Sequence, residues 1–181
     1  LRQQLRKGDL DVIIVALPFT EADVVTQALY EEPFVVLLPA AHPLANKTSL
    51  CADDLTEENV LLLGEGHCFR DQILQALPSI KTHAADDSGN IRTATAGSSL
   101  ETMRHMVASG IGITILPKSA AMSNYAPDTL VIRPLTEVSA KRTVGLAWRA
   151  SFPRHKAVDV LRTAIQQGQK AGKEQLTKGN S

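Results

Sequence analysis

Val60-Leu61-Leu62-Leu63-Gly64-Glu65-Gly66-His67-Cys68-Phe69-Arg70-Asp71-Gln72-Ile73-Leu74-Gln75-Ala76-Leu77-Pro78 reads as an apolar strand, a glycine turn and an amphipathic helix. Phe69, Ile73 and Leu77 recur at four-residue spacing and Leu74 widens their face, whereas Arg70, Asp71, Gln72 and Gln75 are polar. Pro78 stops the helix, because proline cannot continue the backbone ladder. A strand that feeds a helix start through such a turn is the place where α/β folds put their ligand sites.

The same stretch carries the chemistry. Cys68 falls in the first turn of the helix, where backbone N–H groups lack intrahelical partners and favour a negative charge. Thiolate, not thiol, is the nucleophile, and a neighbouring cation favours it too. Arg70 is placed to pair with that thiolate or to be held by Asp71, and His67 to accept a proton or add positive charge when protonated. The bland reading of Cys68, a buried inert thiol beside surface charges, fits most free cysteines. A metal site is a poor fit, since zinc needs three or four ligands and the His67-Cys68 pair has no companion cluster.

Outward from this segment, helices and strands alternate. Leu1 and Leu5 before Gly8 mark a helix end with its C-terminal glycine, followed by a strand at residues 11–16. Residues 34–38 form a second strand closed by Pro39, and residues 52–55 a short helix with Asp53 and Asp54 in its first turn. Further on, a short strand is expected at 91–95 and a helix bearing Leu100, Met103, Met106 and Val107 that ends at Gly110. Residues 111–117 form a strand ending in proline, and strands at 130–135 and 143–148 precede a closing helix from Arg154 to Gln167. Residues 168–181 are polar and read as a disordered tail. The alternation predicts α/β layers with mostly parallel sheets.

Composition narrows the class. The 181 residues are 44% hydrophobic and 21% charged with formal net charge zero, which suits one globular domain or two small lobes and gives no basic patch for nucleic acid. No apolar run approaches the roughly 20 residues of a membrane span. Two cysteines without framework spacing argue against a secreted disulfide scaffold, and a cytoplasmic setting is expected.

Three motifs point to a family. Gly8-Asp9-Leu10-Asp11 before a strand, His42-Pro43-Leu44-Ala45 after one, and Val107-Ala108-Ser109-Gly110-Ile111-Gly112-Ile113-Thr114-Ile115-Leu116-Pro117 together resemble the markers of the effector domain of LysR-type transcriptional regulators. Within that family, residues 66–72 and Ser98-Ser99-Leu100-Glu101-Thr102 are similar to the hydrogen-peroxide-sensing OxyR branch, whose motif cysteine is peroxidatic. The resemblance implies two Rossmann-like lobes joined by crossing strands, a periplasmic-binding-protein-like architecture. Lobe I would comprise residues 1–31 and 135–167 and lack its opening strand and helix; lobe II would comprise residues 32–134 and hold the redox cysteine. It further implies self-association as a dimer, a tetramer in the full-length protein, promoter DNA contact through a winged helix-turn-helix not contained in this chain, contact with RNA polymerase, and no cofactor.

One departure from the family pattern stands out. The branch carries a resolving cysteine nine residues after the peroxidatic one, and here that position is Leu77. Nine residues of intact helix separate Cα atoms by roughly 13 Å, whereas a disulfide tolerates less than about 7 Å, so in the family the bond forms only as the helix unwinds. Leu77 cannot resolve a sulfenic acid. Oxidised Cys68 is left to stay sulfenic, to react with a small thiol, or to find Cys51.

Cys51, ahead of the short helix at 52–55, reads as a small residue packed at a loop-to-helix junction. His42 reads as a turn residue, His105 as polar-face, Trp148 as core. Ser98, Ser99 and Thr102 sit at a helix start as caps and, by resemblance, as ligand-cleft candidates. The resulting expectation is a redox-sensing regulatory domain of a transcriptional activator of the oxidative-stress response. Its site would be Cys68 with His67, Arg70 and Asp71. The alternative is an effector domain that binds a small organic ligand between its lobes. A thiol-dependent enzyme is the third reading, and nothing in the chain favours turnover.

Overall fold

The computed structural model describes residues 1–80, 99–121 and 128–178, with side chains of the last helix described to residue 169. The chain divides into two compact units, Leu1–Glu31 with Arg142–Ser181, and Glu32–Lys141. Residues 135–141, expected in the return to the first lobe, fall in the second unit. They are tied there by a Leu50–Leu135 bridge and by the Phe34 N–H donating to the Ala140 carbonyl at 2.8 Å.

In the first unit, helix α1 (Arg2–Lys7) ends at Gly8, whose φ of +87° turns the chain so that the Gly8 N–H donates to the Leu5 carbonyl and the Asp9 N–H to the Gln4 carbonyl. Strand β1 (Val12–Leu17) then pairs antiparallel with β6 (Lys141–Arg149), from Val12 opposite Trp148 to Leu17 opposite Thr143. Arg149 donates from Nη1 to the carbonyls of Leu5 at 2.5 Å and Leu10 at 2.7 Å, which fastens α1 to the sheet. Helix α5 (His155–Lys178) closes the unit, packing Val158 with Leu29, Leu146, Trp148 and Phe152. It continues past Gln167, where a tail was expected. Residues 168–178 hold Gly168 and Gly172, yet the Gln, Lys, Ala, Glu and Leu among them are good helix formers, and extending an existing helix avoids a new nucleation step.

The second unit is built on residues 32–39 of strand β2 (Val24–Pro39). Strands β4 (Ile113–Pro117) and β5 (Leu130–Pro134) both pair antiparallel with it, and β3 (Val60–Leu61) pairs parallel with β4. The fold is α/β as expected, but its sheet is mixed rather than mostly parallel. Parallel pairing survives where a helical crossover links the strands, from β3 to β4. The other ladders join strands distant in the sequence, whose directions a local alternation of elements does not encode.

Helices α2 (Cys68–Ala76) and α3 (Leu100–Ala108) contribute Phe69, Ile73, Met103 and Val107 to a core with Phe34, Leu37, Leu50, Leu61, Leu77 and Ile115. A short α4 (Lys118–Ala121), absent from the sequence reading, follows β4; Ser119 at its start bonds to the buried Glu32 carboxylate through its hydroxyl. The expected short helix at 52–55 is one 3-10 turn, Ala52–Leu55. The strand expected at 91–95 lies outside the described residues. Among the described residues, no helix is long and apolar enough to cross a membrane.

Candidate functional site

The site is assembled by the turn between β3 and α2. Leu61, Leu62 and Leu63 are buried, so the strand end is fixed in the core, and the chain then reverses through Gly66. The φ of +86° at Gly66 is left-handed backbone, while a Cβ there would meet nothing within 4 Å; conformation, not space, requires glycine. His67 is the N-cap residue, with extended backbone, and its carbonyl accepts the Arg70 N–H at 2.9 Å.

Cys68 is the first helical residue and is exposed. The next residue faces inward: Phe69 is buried and meets Phe34 edge-on, ring centres 5.4 Å apart at 86°. One turn of helix therefore anchors itself by Phe69 and presents Cys68 to solvent. Cys68 thus stands at the N-terminal end of the helix, beside backbone N–H groups without intrahelical partners.

Arg70 points back toward the strand, its Nη1 donating to the Leu63 carbonyl at 3.2 Å. The sequence offers it the thiolate or Asp71 as partner; its bond to a carbonyl makes it a clamp between Leu63, two residues past β3, and the first turn of α2. Asp71 is exposed in that first turn and His67 half-buried. Gln72, which the sequence reading passed over, lies one turn after Cys68. Its Oε1 is buried without a hydrogen-bond partner among the described residues. The signal was present as i, i+4 spacing, which sets two side chains on one helix face.

At the other end of α2, Leu77 is 1% exposed and its N–H donates to the Ile73 carbonyl at 2.9 Å. Cys51 is half-buried at the start of the Ala52–Leu55 turn, and its N–H donates to Asp54 Oδ2 at 3.0 Å. Asp54 also takes the Lys47 ammonium at 2.6 Å. The Lys47 bond first, and the Cys51 N–H second, hold the Asp54 carboxyl down at about 2. Both cysteines are free.

The remaining candidates scatter. Ser99 caps α3, its Oγ accepting the Thr102 N–H at 3.2 Å, so Ser99 is the cap and Thr102 the residue it caps. Ser98 lies outside the described residues. Arg104 on α3, also missed in the sequence, is 5% exposed; its Nε faces Glu101 at 3.5 Å, and its Nη1 has no hydrogen-bond partner among the described residues. His105 is exposed, His42 accepts the Leu44 N–H in a turn, and Trp148 is core. Among the described residues, no group of three or more His, Cys, Asp or Glu could hold a metal ion.

Comparison with known proteins adds context to this geometry. The family model described as LysR substrate binding domain matches residues 1–170. The chain is 35% identical over 165 residues to the DNA-binding transcriptional dual regulator OxyR of Escherichia coli K12, covering 91% of this chain and 52% of that one. It thus spans about half the length of the curated relatives it matches. The reduced form of the OxyR regulatory domain from Pseudomonas aeruginosa is 51% identical, with a TM-score of 0.78 over 92% of this chain and 77% of that one. A crystal structure of the oxidized form of OxyR is 32% identical, with a TM-score of 0.71 over 92% of this chain and 75% of that one.

Proposed function

This chain belongs to the LysR substrate-binding domain family, and we propose that within it the chain is the redox-sensing regulatory domain of a transcriptional activator, oxidised by hydrogen peroxide at Cys68. The observation that carries the reading is the placement of Cys68. It is an exposed thiol at the first position of α2, held there by Phe69 in the core and by the Arg70 clamp on Leu63. Similarity to OxyR domains described in reduced and oxidized forms supports it.

In the proposed reaction the Cys68 thiolate attacks one peroxide oxygen. The S–O bond forms as the O–O bond breaks, sulfur gives up two electrons, and the departing oxygen takes a proton and leaves as water. In this reading His67, at the N-cap, supplies that proton, Arg70 fixes the turn and Asp71 sets the charge around it. In a longer protein the domain would self-associate as a dimer or tetramer in the cytoplasm and act on promoter DNA through an N-terminal winged helix-turn-helix, with RNA polymerase downstream.

The test is peroxide treatment followed by intact mass and dimedone trapping. The expected result is rapid stoichiometric oxidation at Cys68 that Cys68→Ser abolishes. Sustained peroxide consumption with an added thiol would make the protein an enzyme. Tight metabolite binding without oxidation would make it a small-ligand effector domain.

A further inference from the structure

Two remote parts of the second unit are fastened by one short turn. Ser139 Oγ donates to the carbonyl of Ala76, the last residue of α2, at 2.9 Å. Two residues earlier, Glu137 Oε1 accepts the Ala52 N–H at 2.5 Å, immediately after Cys51. The Thr136 N–H donates to the Leu50 carbonyl at 2.9 Å and the Leu50 N–H to the Pro134 carbonyl at 3.0 Å, so the turn is fixed on both sides of Cys51. One segment, residues 134–139, therefore bonds both the backbone that flanks Cys51 and the C-terminal residue of α2, while Cys68 stands at the helix's N-terminal end.

This arrangement bears on the fate of an oxidised Cys68. Leu77, beside Ala76, offers no thiol. Cys51 does, from a half-buried position at a loop-to-helix junction rather than from the core, so a moving segment can reach it without dismantling the sheet. Intact, α2 keeps the two ends apart by roughly 13 Å of rise, beyond the reach of about 7 Å that a disulfide allows. Unwound, the segment no longer holds its ends at that fixed spacing, and Cys68 can fold back toward the helix's own C-terminal end. We infer that Cys51 is the resolving thiol of this protein and that oxidation produces a Cys51–Cys68 disulfide at the C-terminal end of an unwound α2.

The inference rests on the peroxide-sensing reading above. Cys51 sulfur attacks Cys68 sulfur, the S–S bond forms, the S–O bond breaks, and the sulfenic oxygen leaves as water with the Cys51 proton. Two thiols and one hydrogen peroxide thus give one disulfide and two waters.

The reduced chain is treated with one equivalent of hydrogen peroxide, quenched at intervals with dimedone and an alkylating agent, and mapped without reductant. The expected result is a Cys51–Cys68 linked peptide within a single chain and simultaneous loss of both thiols. Cys51→Ser should instead retain a dimedone adduct at Cys68 and overoxidise under excess peroxide. A persistent Cys68 adduct beside an alkylated Cys51 in the unmodified chain overturns the inference, as does linkage only between two chains. Diamide, which couples thiols without peroxide, separates the two readings. A 51–68 link with diamide alone supports the pairing and removes peroxide as the signal; no link with either reagent overturns the pairing.

Discussion

Arg70 donates from Nη1 to the carbonyl of Leu63 at 3.2 Å, and this bond joins the segment just past β3 to the helix turn that displays Cys68. The guanidinium serves the geometry of the turn as well as its charge, which separates two effects usually assigned together.

Arg70→Ala is expected to loosen the turn, lowering stability by about 1–2 kcal/mol, the range for a hydrogen bond to a charged group at partial exposure, and slowing peroxide oxidation of Cys68 several-fold. Urea denaturation and dimedone trapping kinetics check this. Unchanged values for both would leave Arg70 without a role in the site.

Leu77→Cys restores a thiol at the end of α2. Leu77 is 1% exposed, so the change removes buried volume; full truncation of such a leucine costs on the order of 2–5 kcal/mol, and Cys retains part of the packing, which places the loss at about 2 kcal/mol. In a Cys51→Ser background the variant should form a 68–77 disulfide after peroxide. Peptide mapping that finds only sulfenic or sulfinic Cys68 would mean that α2 does not unwind.

The Asp54 carboxyl falls to about 2 in the folded chain from an ordinary value of 3.8, so its bonds to Lys47 and the Cys51 N–H favour the folded state once pH exceeds about 4. That contribution fades as pH falls from 4 through 2. Asp54→Asn should therefore be less stable than the parent at pH 6 and converge with it near pH 2. Denaturation midpoints across this window test the sign; a constant difference down to pH 2 would contradict it.

Gly112→Ala addresses the parallel β3–β4 pair. A Cβ at Gly112 would lie 2.3 Å from the Asn59 carbonyl oxygen, and backbone cannot move aside as a side chain can. The expected destabilisation is about 1–3 kcal/mol, toward the upper end, and thermal unfolding reads it directly. A variant with the parent's melting temperature would show that β3 is free to shift.

What the sequence disclosed was local. The Gly8 cap, β1, the start of α2 at Cys68 and the Ser99 cap follow from spacings of a few residues. The first half of β2 escaped notice because residues 24–32 mix Thr26, Gln27, Tyr30, Glu31 and Glu32 with apolar positions, giving no continuous hydrophobic run. Strand directions, the Arg70–Leu63 clamp and the ties from Ser139 to Ala76 and from Glu137 to Ala52 depend on tertiary placement rather than on any motif. In the last two, residues 63 and 85 positions apart meet.

Under the proposed oxidation of Cys68, Leu77, sealed in the core at the end of α2, would also set a dose response. Any rearrangement that draws it out must work against its burial, and one or two kcal/mol of such opposition changes the ratio of the two states by about 5–30-fold. Trace oxidant then leaves most molecules in the resting conformation, and the rearranged state, once its sulfur is reduced, returns to rest by folding alone. The leucine would give such a sensor a threshold and a spring.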